Sequence, residues 1–196
     1  MGRLTPKFYS RKKNIFRLGN SKSRGLGKVE ITAKAVDIEL NLEERITTFS
    51  NKLKNRWEQW KVFNNKLQKL PENRTYFTLD LQSDAILTEN WQRTTVISPE
   101  MLQEFSEVED SSLELHVAYS SYDYLSGWNS AWGLMKDVEL ITNKGGVYLF
   151  STTEKETWIK ALEKLEIMGV GERTYEGFGQ VRICDEFHLV FREEAV

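Results

Sequence analysis

Four glycines fall within eleven residues at Gly169-Val-Gly-Glu-Arg-Thr-Tyr-Glu-Gly-Phe-Gly179, between two stretches of different apolar period. Before this run, Ile159, Leu162 and Leu165 recur at helical spacing. After it, Val181, Ile183, Phe187, Leu189 and Phe191 alternate as in a strand, over Gln180 to Phe191. A chain that leaves a helix, turns through several glycines and enters a strand needs positive φ or close backbone approach there. A dinucleotide-binding loop is excluded, because it runs from strand into helix and Thr174 stands where its third glycine belongs. A Walker loop lacks its closing Gly-Lys-Ser/Thr. What remains is a loop whose backbone N–H groups can hold phosphate, with Arg173 to neutralise it and Tyr175 and Phe178 to stack on unpaired bases.

The rest of the chain supplies an order of elements. Ile46, Phe49, Leu53, Trp57, Trp60, Phe63, Leu67 and Leu70 trace one face of a helix from Leu42 to Leu70, with Asn41 and Glu44 as a capping box and Pro71 as its stop. Such a helix would span roughly 43 Å. A strand follows at Thr75 to Gln82, then a short helix at Pro99 to Phe105 capped by Ser98. Leu113 to Tyr119 reads as a second strand. An aromatic loop, Ser120 to Gly133, leads to two segments, Lys136 to Thr142 and Val147 to Ser151, folded back on each other through Asn143-Lys-Gly-Gly146. A helix from Glu154 to Met168, with Thr153 and Glu156 as a capping box and Gly169 at its end, precedes the glycine-rich run. The predicted class is α+β, and the order β-α-β-β-α-β is ferredoxin-like (RRM-like).

Charge is distributed unevenly. Residues 1–34 carry ten Lys or Arg and one acid, Glu30, whereas the remaining 162 residues carry 17 basic and 28 acidic side chains. A basic arm on an acidic body points to a polyanion met by the arm. Within it, Ser23-Arg-Gly-Leu-Gly-Lys-Val29 repeats the form of Glu176-Gly-Phe-Gly-Gln-Val181, Gly-apolar-Gly-polar-Val opening a strand. Lys28 to Leu40 then alternates, with a shift of parity between Ala33 and Val36. Residues 1–40 therefore read as a basic arm plus the closing loop and strand of an incomplete first ferredoxin-like unit. Residues 41–74 form the long amphipathic helix, and residues 75–196 a complete ferredoxin-like domain. An orphan strand leaves backbone edges unpaired, so a partner chain is expected to complete that first sheet.

Composition narrows the classes further. With 40% hydrophobic and 29% charged residues the chain is globular, and one cysteine, Cys184, excludes an intrachain disulfide or a cysteine-based zinc site. No apolar run is long enough for a membrane helix and the basic N-terminus has no apolar signal core, so a cytoplasmic protein without a membrane partner is expected.

Four segments together resemble the RAMP superfamily of CRISPR effector subunits, above all its tandem type III-D kind. They are Arg17-Leu-Gly with Ser23-Arg-Gly-Leu-Gly-Lys-Val29, Thr78-Leu-Asp-Leu-Gln-Ser-Asp-Ala-Ile-Leu87, Ser126-Gly-Trp-Asn129 with Trp132-Gly-Leu134, and Gly169-Val-Gly-Glu-Arg173 with Glu176-Gly-Phe-Gly-Gln-Val181. The chain is similar to the C-terminal part of such a protein. The resemblance implies a subunit without catalytic activity or cofactor that holds CRISPR RNA in a type III ribonucleoprotein of antiviral defence. Target RNA and neighbouring RAMP subunits are its further partners. Two alternatives remain open, a RAMP-type endoribonuclease acting on guide precursor or target RNA, and a stand-alone RNA-binding module.

The candidate RNA contacts are Arg17, Lys22, Ser23, Arg24, Gly25, Gly27 and Lys28 in the first glycine loop, Gly169, Gly171, Arg173, Tyr175, Gly177, Phe178 and Gly179 in the second, and Trp128 between them. Tyr119, Tyr122, Tyr124, Trp128 and Trp132 crowd the aromatic loop, and one of the two tryptophans is expected to pack inward. For the ribonuclease alternative, His188 on the last strand and Asp123 in the aromatic loop are the catalytic candidates, without an evident partner base. His116, inside a strand, reads as structural, and no residues are assigned to a metal.

Overall fold

The computed structural model describes residues 27–29, 41–63, 69–129 and 131–190. The chain divides into two units, Met1–Glu39 and Leu40–Val196. In the first, only residues 27–29 are described, with Gly27 at φ +77°. Arg17, Lys22, Ser23, Arg24, Gly25 and most of the expected strand over 28–40 lie outside the described residues.

The second unit is α+β. Its elements run α1 (Leu42–Trp60), β1 (Thr75–Leu81), β2 (Leu87–Glu89), β3 (Gln92–Thr94), α2 (Pro99–Ser106), β4 (Glu114–Tyr119), β5 (Tyr122–Leu125), β6 (Trp128–Asn129), β7 (Leu134–Met135), β8 (Glu139–Thr142), β9 (Val147–Thr152), α3 (Lys155–Met168) and β10 (Val181–Ile183). The main sheet is antiparallel, in the order β10-β1-β9-β4. Its four strands and the helices α2 and α3 succeed one another as β-α-β-β-α-β, as the periodicities predict. No helix of the described residues is long and apolar enough to cross a membrane.

Strand β1 is central and buried on both sides. On one side Phe77 stacks on Phe150 of β9, ring centres 5.7 Å apart, and meets Trp158 of α3 at 6.0 Å. The start of α3 is fixed by the buried carboxylate of Asp110, which accepts from the Trp158 indole N–H (2.8 Å), the Ser112 amide (2.8 Å) and the Thr152 hydroxyl. Burial works against that charge, but the hydrogen bonds from Thr152, Ser112 and Trp158 outweigh it and hold the carboxyl below its usual range.

Helix α1 adds Leu42, Ile46 and Phe49 to this same core. Its N-cap is as expected, the Asn41 side chain accepting from the Glu44 amide. The helix then solves an edge problem. Strand β10 pairs only with Leu79–Leu81, which leaves the first half of β1 open on that side. There the Ser50 hydroxyl of α1 accepts from the Tyr76 amide at 3.2 Å. Beyond β10 itself, the outward amide of Ile183 donates to Glu166 (2.7 Å) and its carbonyl accepts from Arg45 (2.9 Å), while Arg45 and Glu166 pair at 2.7 Å. Side chains thus occupy the positions of a further strand and block pairing at this edge.

Four local expectations are corrected. The helix expected to reach Leu70 is 19 residues long and tightens into a 3-10 turn at Lys61–Phe63, with residues 64–68 outside the described residues. Its buried positions stop at Ser50, and beyond them Leu53 is only partly buried against the core. The segments 136–142 and 147–151 do not form a hairpin with each other. β8 pairs with β5 instead, because the intervening turn docks elsewhere: Asn143 donates to the Ser121 carbonyl (2.9 Å) and Gly145 to that of Leu81 (2.7 Å). The α3 N-cap is Glu154 and makes no side-chain bond, since the Thr153 hydroxyl donates to Ser112. The last strand ends at Ile183. Cys184 takes φ +49°, and the Asp185 side chain caps a 3-10 turn, Glu186–Leu189, by accepting from the Phe187 amide (2.9 Å).

Candidate nucleic-acid interface

The glycine-rich run between α3 and β10 is folded tightly into the body. Gly179 has φ +67°, and a Cβ there would sit 1.8 Å from the Val170 carbonyl oxygen. At Gly171 (φ +79°) it would sit 2.4 Å from that of Ile86. Only glycine fits either position. The amides are committed as well. Gly169 donates to Leu165 (2.8 Å), Val170 to Gly179 (2.8 Å), Glu172 to Ile86 (2.9 Å), Gly177 to Thr174 (3.0 Å) and Gly179 to Asp84 (2.8 Å). This corrects the reading of the loop as a row of free N–H groups awaiting phosphate: these five are used within the fold, and those of Glu172 and Gly179 fasten the loop to the segment after β1.

Arg173, at φ +56°, is committed too. Its guanidinium donates to Glu139 of β8 (3.0 Å) and to both oxygens of Glu176, and it lies over the Phe178 ring, 5.2 Å from the centroid. Arg173 thus ties the loop to the strand that follows the aromatic insertion. Tyr175 is 86% exposed.

The aromatic insertion is the opposite case. Residues 122–142 make two ribbons, β5 with β8 and β6 with β7. Tyr119, Tyr122, Tyr124, Trp128 and Trp132 all lie between 60% and 79% exposed. The expectation that one tryptophan packs inward is therefore corrected. The ribbons are held by backbone bonds, as between the Lys136 amide and the Gly127 carbonyl (2.8 Å), which leaves their rings without a core to fill. Tyr122 and Tyr124 meet edge to face at 6.1 Å.

Between the insertion and the loop lies an open cleft of about 830 Å³. Trp132, Leu134 and Phe178 give it apolar walls, and Lys136, Asp137, Glu139, Arg173 and Glu176 its charges. Lys136, Asp137 and Glu139 were not among the sequence candidates. Lys136 and Asp137 precede β8 and Glu139 opens it, and no motif singles out any of the three.

His188 is the other correction. It lies on the 3-10 turn after β10, where Nε2 is 2.6 Å from Oδ1 of Asp80, and Thr78 donates to the second oxygen of that carboxylate (3.0 Å). Asp80 is 5% exposed and is the partner that the sequence did not reveal. His116 is structural, as expected: Nε2 lies 2.8 Å from the Ser151 hydroxyl, and burial first of all pulls its pKa down. Asp123 accepts from the neighbouring Tyr124 amide (2.7 Å). Among the described residues no group of His, Cys, Asp and Glu could hold a metal ion.

No family model matches the sequence, and no curated protein matches it. Among solved structures, it is similar to Cas6 in a product complex (15% identity, TM-score 0.37, 55% of this chain and 52% of that chain). It is likewise similar to Cas6 in a substrate-mimic complex (16% identity, TM-score 0.36, 55% and 52%). The chain thus spans about half the length of either Cas6 structure. Those structures hold a product and a substrate mimic, and with them the expectation that the chain has no catalytic activity is withdrawn.

Proposed function

We propose that this chain is a ferredoxin-like (RRM-like) CRISPR-associated protein of the RAMP superfamily, type III in kind, that binds single-stranded RNA. One observation carries the reading: five large rings stand exposed on one insertion. Leaving a large apolar side chain in water forgoes about 1.5–3 kcal/mol of burial, a cost that folding alone does not explain. Unpaired bases stack on such rings, whereas a duplex hides its base faces. The basic arm over residues 1–34 supplies the phosphate-neutralising charge that the acidic body lacks. In this reading residues 1–40 close a first ferredoxin-like unit completed by a neighbouring subunit, 41–74 brace the body, and 75–196 form the second unit.

Anisotropy of a labelled single-stranded RNA titrated with the protein tests the proposal. Binding that weakens steeply as salt rises from about 50 to 200 mM, with quenching of tryptophan fluorescence, is the expected result. Equal affinity for single-stranded and duplex RNA would overturn it.

A second reading, RNA cleavage, is favoured by the Asp80–His188 pair. A carboxylate on one imidazole nitrogen orients the ring and supports a general base for a 2′-hydroxyl. Loss of cleavage in His188→Ala with RNA binding retained is the result this reading expects.

A further inference from the structure

Among the described residues, the most exposed large hydrophobic side chain lies outside both the core and the aromatic insertion. It is Trp91, 99% exposed. Strands β2 and β3 pair as Leu87↔Thr94, Thr88↔Arg93 and Glu89↔Gln92, so Asn90 and Trp91 alone make the turn between them. Both have positive φ, +49° and +65°, as the two central residues of a type I′ turn do. Asn tolerates the first of these places. The second is glycine's by preference, and a bulky side chain there is strained. The turn thus carries two costs, backbone strain and an indole left wholly in water, and packing within the fold offsets neither.

The hairpin is nonetheless held firmly at its base. Leu87 is buried in the core, and Glu172 of the glycine-rich loop accepts from Thr88 (2.5 Å) and Arg93 (2.6 Å). The next residue, Arg173, reaches Glu139 of β8, and β3 lies beside β8. One loop therefore fastens both the hairpin and the ribbon of β8 with β5, which carries Tyr122 and Tyr124. The exposed neighbours of Trp91 at the tip, Asn90, Gln92 and Arg93, are all polar. A protein partner covers a contiguous apolar patch, which this tip does not offer. An unpaired base needs only one ring face.

Resting on the reading of the chain as a binder of single-stranded RNA, we propose that Trp91 is a further contact of the bound strand, stacking one unpaired base at the tip of the β2–β3 hairpin. The strand extends from the rings of the insertion to this hairpin, and stacking takes the indole out of water. Every base has a π-face, so the contact holds the strand without reading its sequence.

Anisotropy titrations of a labelled oligouridine compare the parent protein with Trp91→Gly and Trp91→Phe. Glycine suits the turn better than tryptophan, so Trp91→Gly should melt at or above the parent's temperature while binding about tenfold more weakly. Trp91→Phe keeps a stacking ring and should stay within about threefold of the parent. A side chain that served the fold would give the reverse, a lower melting temperature with affinity unchanged. Unchanged affinity of Trp91→Gly overturns the inference at any melting temperature. Ultraviolet crosslinking of a 5-bromouridine strand to the parent protein reads the contact directly and should yield an adduct on Trp91. Adducts confined to other residues overturn the inference as well. In both cases the parent still binds, and the RNA-binding reading stands. Failure of the parent to bind any single strand overturns both.

Discussion

The glycine-rich loop and the aromatic insertion face one cleft and are built on opposite plans. Both carry residue types that nucleic-acid sites use, glycines with an arginine on one side and tyrosines with tryptophans on the other. The loop uses its amides internally: Val170, Glu172 and Gly179 all donate within the fold, and its arginine is held by two carboxylates. The insertion closes its backbone in two short ribbons and leaves its rings in water. Conformational demand and ligand demand can thus select the same residues. The difference lies in whether their polar and aromatic groups have partners in the folded chain.

The sharpest way to break this comparison is to substitute alanine along the loop. Gly179→Ala sets a Cβ against the Val170 carbonyl at positive φ and should destabilise the protein by about 4 kcal/mol or more, or prevent folding. Gly177 also has positive φ (+95°) but faces open space, so Gly177→Ala should cost only the backbone term, about 1–2 kcal/mol. Urea unfolding of the two variants measures the gap. Similar midpoints would mean that the loop is not fastened through Gly179.

On the insertion the expected effect falls on binding instead. Tyr122→Ala and Tyr124→Ala should each weaken single-stranded RNA binding about tenfold while the melting temperature stays within experimental error. A large drop in melting temperature would instead place these rings in the scaffold.

The smallest effect is a pH dependence confined to the loop. Glu172 accepts hydrogen bonds from Thr88 and Arg93, and these, in that order, hold its carboxyl below the usual range. A carboxylate with a depressed folded pKa stabilises the fold above its ordinary value and loses that contribution as pH falls through the folded value. Below about pH 4 the Glu172 amide signal in NMR should therefore shift with the loop, while signals of the β5–β8 ribbon hold still. A simultaneous shift of both would show that Arg173 couples them more strongly than its one bond to Glu139 suggests.

Much of the scaffold was legible in the sequence because it rests on local signals. The helix beginning at Pro99 has its cap in Ser98, β1 begins at Thr75 although both its faces are buried, and α3 ends at Gly169, whose φ is +80°. The exposed rings were legible as a group, since Tyr and Trp mixed with Ser, Gly and Asn fit a surface better than a core, but the inward tryptophan expected among them is absent from the described residues. The tail was not. Alternation continues to Phe191 in the sequence, but the Asp185 side chain offers the backbone a competing turn and the strand stops at Ile183.

The sequence by itself determined the β-α-β-β-α-β order of the main elements, the caps that start α1 and α2, and the glycine that ends α3. Period, capping and glycine content act within a few residues of one another. Only the tertiary structure decided which groups found partners: β8 with β5, His188 with Asp80 across 108 positions, Arg173 with Glu139, and the loop amides with the segment after β1. A hydrogen bond is made by whichever groups the packed core brings within about 3 Å, and the core brings together residues that no local pattern relates.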